Sequence, residues 1–121
     1  MRRLALLPLA LAALPLGAAG AEPALGRYEG RWCVAVGQAS ADCGPAQVDV
    51  LRQQRVNVRI ADIVYRLKLH SSQVDVVLMH GTMQIDGFFA PYEWVGNSLQ
   101  FLDLEKRTRY ELTLAPSAKQ R

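Results

Sequence analysis

The chain has 121 residues, 14 Lys and Arg against 11 Asp and Glu, a formal net charge of +3, and 50% hydrophobic residues. A chain this short rarely encloses two cores, so one domain is expected. A charged fraction of 21% beside so much apolar sequence excludes a disordered chain.

Met1-Arg2-Arg3 is a short basic start, and Leu4 to Leu16 is almost entirely Leu and Ala, broken by Pro8 and Pro15. Ala19-Gly20-Ala21 then puts small residues before Glu22. This three-part pattern reads as a secretory signal peptide over 1–21, leaving 22–121 as a single working domain. The apolar run is well short of the roughly 20 residues that span a bilayer, and no later segment is apolar enough to cross one. A periplasmic or secreted location after cleavage near Ala21 follows as the expectation. Arg2 and Arg3 leave with the leader while all 11 acids remain, so the basic surplus falls to one. Nucleic acid is therefore not an expected partner, because counterion release needs a cluster of cations.

Cys33 and Cys43 are the only cysteines. In an oxidising compartment an even count in a small domain reads as a disulfide. Neither sits in a CxxC motif and no His flanks them, which argues against a metal or redox pair. Closing this loop is worth about 3 kcal/mol by the chain-entropy estimate.

From Arg27 onward apolar residues recur at every second position, the period of a strand. Val56, Val58 and Ile60 alternate with Arg55, Asn57 and Arg59, and Ile63, Tyr65, Leu67 and Leu69 alternate with Val64, Arg66, Lys68 and His70. Val74, Val76, Leu78, Met83 and Ile85 continue the inward set, and Trp94, Leu99, Phe101, Tyr110, Leu112 and Leu114 close it. Turns at Arg52-Gln53-Gln54, Ala61-Asp62, Ser71-Ser72, His80-Gly81, Gly96-Asn97 and Glu105-Lys106 put apolar residues opposite apolar ones, which a wrong register would not do. The His80-Gly81 turn places Leu78 opposite Met83 and Val76 opposite Ile85. The expected fold is all-β: an antiparallel up-and-down meander of eight to nine strands, closed or nearly closed into a small β-barrel with one disulfide. Gly30-Arg31-Trp32, on the first strand, resembles the Gly-x-Trp opening of lipocalins and avidins over that one strand. The Ser-Gly-x-x-Tyr loop of secreted bacterial lysozyme inhibitors, which are also small disulfide-bearing barrels, is absent.

On the outward face the expected register aligns Arg55, Lys68, Asp75 and Asp86 as a charged row, with Lys68 and Asp75 as a cross-strand pair. Val64, Val77, Met79, Phe88, Leu102 and Leu104 form an outward apolar set, a kind of patch that marks interfaces. Phe88 to Trp94 adds Tyr92 and Trp94 around the Pro91 bend, read as a recognition loop. His70, Met79, His80 and Met83 have copper-binding chemistry, but their placement does not gather them, and no cofactor is expected. Ser71, Ser72 and Ser98 lie in turns without a Gly-x-Ser-x-Gly elbow, so no catalytic set is assembled. The sequence thus points to a binding barrel that recognises a protein partner, as an inhibitor would, through the apolar patch and the 88–94 loop. The same patch would serve self-association. A carrier of a small apolar ligand inside the barrel is the alternative, and an enzyme using the charged row the third reading.

Overall fold

A computed structural model describes residues 22–115; the leader read over 1–21 lies outside them. Eight strands follow one another: β1 Gly26–Val36, β2 Asp42–Leu51, β3 Arg55–Ile60, β4 Ile63–Leu69, β5 Gln73–His80, β6 Met83–Val95, β7 Ser98–Asp103 and β8 Thr108–Leu114. Each pairs antiparallel with the next, and β8 returns to β1, so the meander is a closed barrel in chain order. The expected fold holds, with the Cys33–Cys43 disulfide formed.

The interior is the inward half of the alternation. Val48, Val58, Leu67, Val74, Val76, Leu99 and Leu112 are the largest side chains wholly removed from water. An eight-stranded barrel is just wide enough for its own side chains to fill. Part of the interior is aromatic: Trp32 and Tyr110 pack on each other and each on Tyr65 and Phe101, and Trp32 to Tyr65 is closest at 4.6 Å between ring centres.

Four of the expected hairpin registers stand: Ile60 faces Ile63, Leu69 faces Val74, Trp94 faces Leu99 and Phe101 faces Tyr110. Val50 likewise faces Val56 across the three-residue link. Ala61 carries the positive φ of a tight turn, 57°, on a residue with a side chain. The β7–β8 connection is longer than two residues because pairing resumes only at Asp103 and Thr108.

The β5–β6 hairpin differs from the sequence reading. His80 stays in β5 and pairs with Met83, so the turn is Gly81-Thr82, led by Gly81 at φ 63°. That position suits glycine, which meets no Cβ penalty there. The register then shifts between Leu78 and Met79, leaving Ile85 as the extra residue of a bulge. One inserted residue reverses which face every later side chain occupies. Phe88 therefore faces Val76 and packs on the core instead of pointing outward, and Asp86 faces Leu78 instead of standing beside Asp75. Met83 and Ile85, expected inside, are 62% and 50% exposed. Residues 88–94 are not a loop: β6 runs unbroken through Pro91.

The ladder is incomplete at one end, here called the upper end, which carries the 37–41, 61–62, 81–82 and 104–107 connections. β2 pairs with β3 only from Gln47 to Leu51, and β6 pairs with β7 only from Tyr92 to Val95. Residues 42–46 of β2 and 83–91 of β6 thus have no ladder partner on that side. Each seam begins near a proline, Pro45 in β2 and Pro91 in β6. Proline cannot donate to a ladder, so continuous pairing is hard to carry past it. Below the seams the strands form a barrel. Above them they part into two lips, β7-β8-β1-β2 and β3-β4-β5-β6.

Candidate functional site

The β6 seam is closed by side chains instead of backbone. Lys106, from the β7–β8 connection, reaches across to form an ion pair with the Asp86 carboxylate. Its ammonium also lies 3.6 Å from Asp103 and 5.5 Å from the centre of the Phe88 ring. Phe88 in turn stacks on Tyr110 at 5.7 Å. Asp103 is buried, and its Oδ1 accepts the backbone N–H groups of Glu105 and Lys106, which shapes the loop that aims Lys106. Asp86 Oδ1 accepts the N–H of Gly87 at 2.8 Å, so that group is capped by its neighbour and not by a strand.

These contacts set the local electrostatics. The hydrogen bond from Lys106 holds the Asp86 carboxyl below its usual value of 3.8 and raises the Lys106 ammonium above its own. Burial, followed by the nearby Tyr65, pushes the Tyr110 hydroxyl up to about 12. Because Asp86 titrates lower in the folded protein than in the unfolded chain, its contribution is present above pH 3.8 and is lost as pH falls through the folded value. Asp86→Asn should therefore lower the urea midpoint at pH 7, and the gap to the unsubstituted protein should narrow as pH falls below 3.8. A gap of constant size across that acid range would assign the loss to packing and not to charge.

The edge of β6 exposed by the seam is strongly apolar. Met83, Ile85 and Phe89 are 62%, 50% and 70% exposed, and Leu104 on the opposite lip is 66% exposed. Of the outward apolar set read from the sequence, Leu104 is open, while Val64, Val77 and Leu102 are half-buried. Val64 faces Met79 as expected, but Met79 is buried, with only 8% of its surface exposed. Phe88 belongs to the core side of the strand. Tyr92 and Trp94 are half-buried against the core, and the Tyr92 hydroxyl donates to the His70 carbonyl. Phe89, not Phe88, is the exposed member of the adjacent aromatic pair. In any strand one member of the Phe88-Phe89 pair must face outward, and the bulge decides which.

The charged row survives in part. Arg55, Lys68 and Asp75 stand side by side across β3, β4 and β5, but the next position on β6 is Phe89, not Asp86. Asp75 turns to His70, with Oδ2 3.0 Å from Nε2. His80 pairs with Asp62 at 3.1 Å. The two histidines thus have separate carboxylate partners at opposite ends of β5. Among the described residues no three His, Cys, Asp or Glu side chains gather to hold a metal.

Several concavities open around this frame, one of them, about 420 Å³, on the polar face of Arg27, Glu29, Gln47, Asp49 and Arg59. A groove of about 390 Å³ runs along the outer face, past Pro91, Leu102, Arg109, Ala35 and the disulfide. A pocket of about 300 Å³ lies under the β2–β3 seam, lined by Trp32, Val34, Gly44, Ile60, Ile63 and Tyr65. At the lower end one of about 330 Å³ opens between Trp94, Val56, Leu69 and the Pro23 and Leu25 segment. That segment is tied down by Tyr28, whose hydroxyl donates to the Ala24 carbonyl at 2.7 Å. Comparison with protein-family models, with curated proteins and with solved structures finds no match.

Proposed function

We propose that this chain is a binding barrel of the periplasm or the extracellular space that takes an extended segment of a partner protein along the upper edge of β6. One observation carries the reading: β6 continues from Met83 to Pro91 with no strand on its β7 side. An unpaired edge is a template for another strand, and soluble proteins guard such edges with charge or cover. Here the guard is confined to Lys106 at Asp86, and on either side of it the edge is flanked by Met83, Ile85, Phe89 and Leu104. Its single ionisable residue, Asp86, is already neutralised by Lys106. The chemistry suits strand addition by an uncharged, alternating segment, with main-chain bonds giving affinity and the flanking side chains giving selectivity. The groove beyond Pro91 and Leu102 extends the same surface. The disulfide fits an oxidising compartment.

Selection of a displayed random-peptide library on the purified protein tests this. Peptides of alternating apolar pattern should be enriched, and their binding should shift the backbone amides of 84–90. Ile85→Glu and Phe89→Glu, both at exposed positions, should abolish that binding while leaving the thermal midpoint close to its original value. Enriched peptides that bind both variants unchanged would overturn the edge as the site. Concentration-dependent dimers that the same substitutions dissolve would replace the foreign segment with a second copy.

A further inference from the structure

The pocket under the β2–β3 seam carries an inference independent of the β6 edge. We propose that it is a binding site for a small, flat, uncharged aromatic molecule bearing one hydrogen-bond acceptor.

The first ground is a missing side chain. Gly44 is the cross-strand partner of Trp32 and shares its face of the sheet. A Cβ placed on Gly44 would meet no atom within 4 Å. Its neighbours on that face are not so open: the next pairs down are Gly30 with Ala46 and Tyr28 with Val48, and a Cβ on Gly30 would touch three groups within 3.3 Å. The void beside the indole is therefore local to the seam, where β2 has left β3 and no strand fills the gap.

The second ground is an unsatisfied donor. Trp32 is 5% exposed, and its indole Nε1 is buried without a hydrogen-bond partner. The Tyr65 hydroxyl is close enough for a hydrogen-bonding influence from the indole that lowers its pKa against the larger rise from burial, but the contact falls short of full hydrogen-bond geometry. Buried indole N–H groups normally find an acceptor. An acceptor brought by a ligand would complete this one.

The third ground is the lining. Val34, Ile60 and Ile63 supply aliphatic wall, and Trp32 with Tyr65 supplies two aromatic surfaces inclined at 45°. The Tyr65 hydroxyl is neutral at pH 7, and burial raises its pKa further. The one carboxylate of the lining, Asp42, is exposed and disfavours an anion. A volume near 300 Å³ is at the small end of ligand sites, which fits one or two fused rings. The adjacent disulfide at Cys43 fixes β2 to β1 and so holds the wall in place without a partner strand.

Titration of the purified protein with 2-naphthol, followed by ¹H–¹⁵N spectra, tests the assignment. The indole N–H resonance of Trp32, identified by its loss in Trp32→Phe, should shift saturably. Naphthalene, lacking an acceptor, and naphthalene-2-sulfonate, an anion, should each bind at least tenfold more weakly. Gly44→Ala and Gly44→Val plug the void in two steps and should weaken 2-naphthol binding progressively, the valine by tenfold or more, with thermal midpoints recorded alongside. If the valine variant does not fold, the alanine variant still decides the question. The proposal is overturned if the Trp32 indole does not shift up to the solubility limit, if both substitutions leave binding unchanged, or if the sulfonate binds as well as the naphthol.

Discussion

Removing the Cys33–Cys43 bridge, by reduction or as the double variant Cys33→Ala/Cys43→Ala, should destabilise the fold by about 3 kcal/mol. For a domain of this size that corresponds to a fall in thermal midpoint on the order of 10–20 °C. The cysteines are direct cross-strand partners, so the bridge closes a short loop between strands already in register. Most of its effect is therefore expected on the unfolded chain. Its position adds a local consequence. Residues 42–46 of β2 have β1 on one side and no strand on the other. Reduction should speed amide exchange there more than at 47–51, where β3 completes the ladder. An unchanged midpoint with uniform exchange would show that the β1–β2 ladder suffices alone.

The second large effect is expected at Gly30. A Cβ there would stand 3.0 Å from the Thr113 carbonyl oxygen, 3.1 Å from Val48 Cγ2 and 3.3 Å from Leu112 Cδ1. The side chains can yield by a few tenths of an ångström, but the carbonyl belongs to the β1–β8 ladder and cannot move without loosening it. Gly30→Ala should cost about 1–3 kcal/mol, the usual range for overpacking. Leu112→Ala, at a side chain that is 0% exposed, should cost about 2–5 kcal/mol. The double variant should cost less than the sum, because one of the three clashes is relieved. It should not return to the level of Leu112→Ala alone, because the Thr113 contact remains. Urea unfolding of the three variants reads this directly, and a neutral Gly30→Ala would mean that β1 shifts there freely.

The two proposed sites share a cause. Both lie where the ladder stops, and it stops near Pro45 and Pro91. A barrel closed along its whole length would bury every edge and leave little but outer surface to offer. Here the upper strands part into two lips, and the gaps are filled by different means. At the β6 seam Lys106, Asp86 and Phe88 form a plug that leaves the strand edge and its apolar side chains outside. At the β2 seam Gly44 fills nothing, and the space remains beside Trp32.

Much of this could be read from the residues. Period-two alternation is local, and each apolar residue at an inward position says the same thing about its strand. Short turns then force the register, so Val58 opposite Tyr65 and Leu99 opposite Leu112 follow from the chain alone. The pairing of Cys33 with Cys43 is equally local. The parity of β6 is not. Gly81-Thr82 and His80-Gly81 are both plausible turns by composition, and the bulge at Ile85 has no signature of its own. One residue of slip exchanged Phe88 for Phe89 on the surface and removed Asp86 from the charged row. Closure of β8 onto β1, and the distance over which β2 and β6 stay with their neighbours, depend on the accumulated twist of eight strands. Alternation tells each strand which face is inside, but only the assembled barrel decides where its edges remain open.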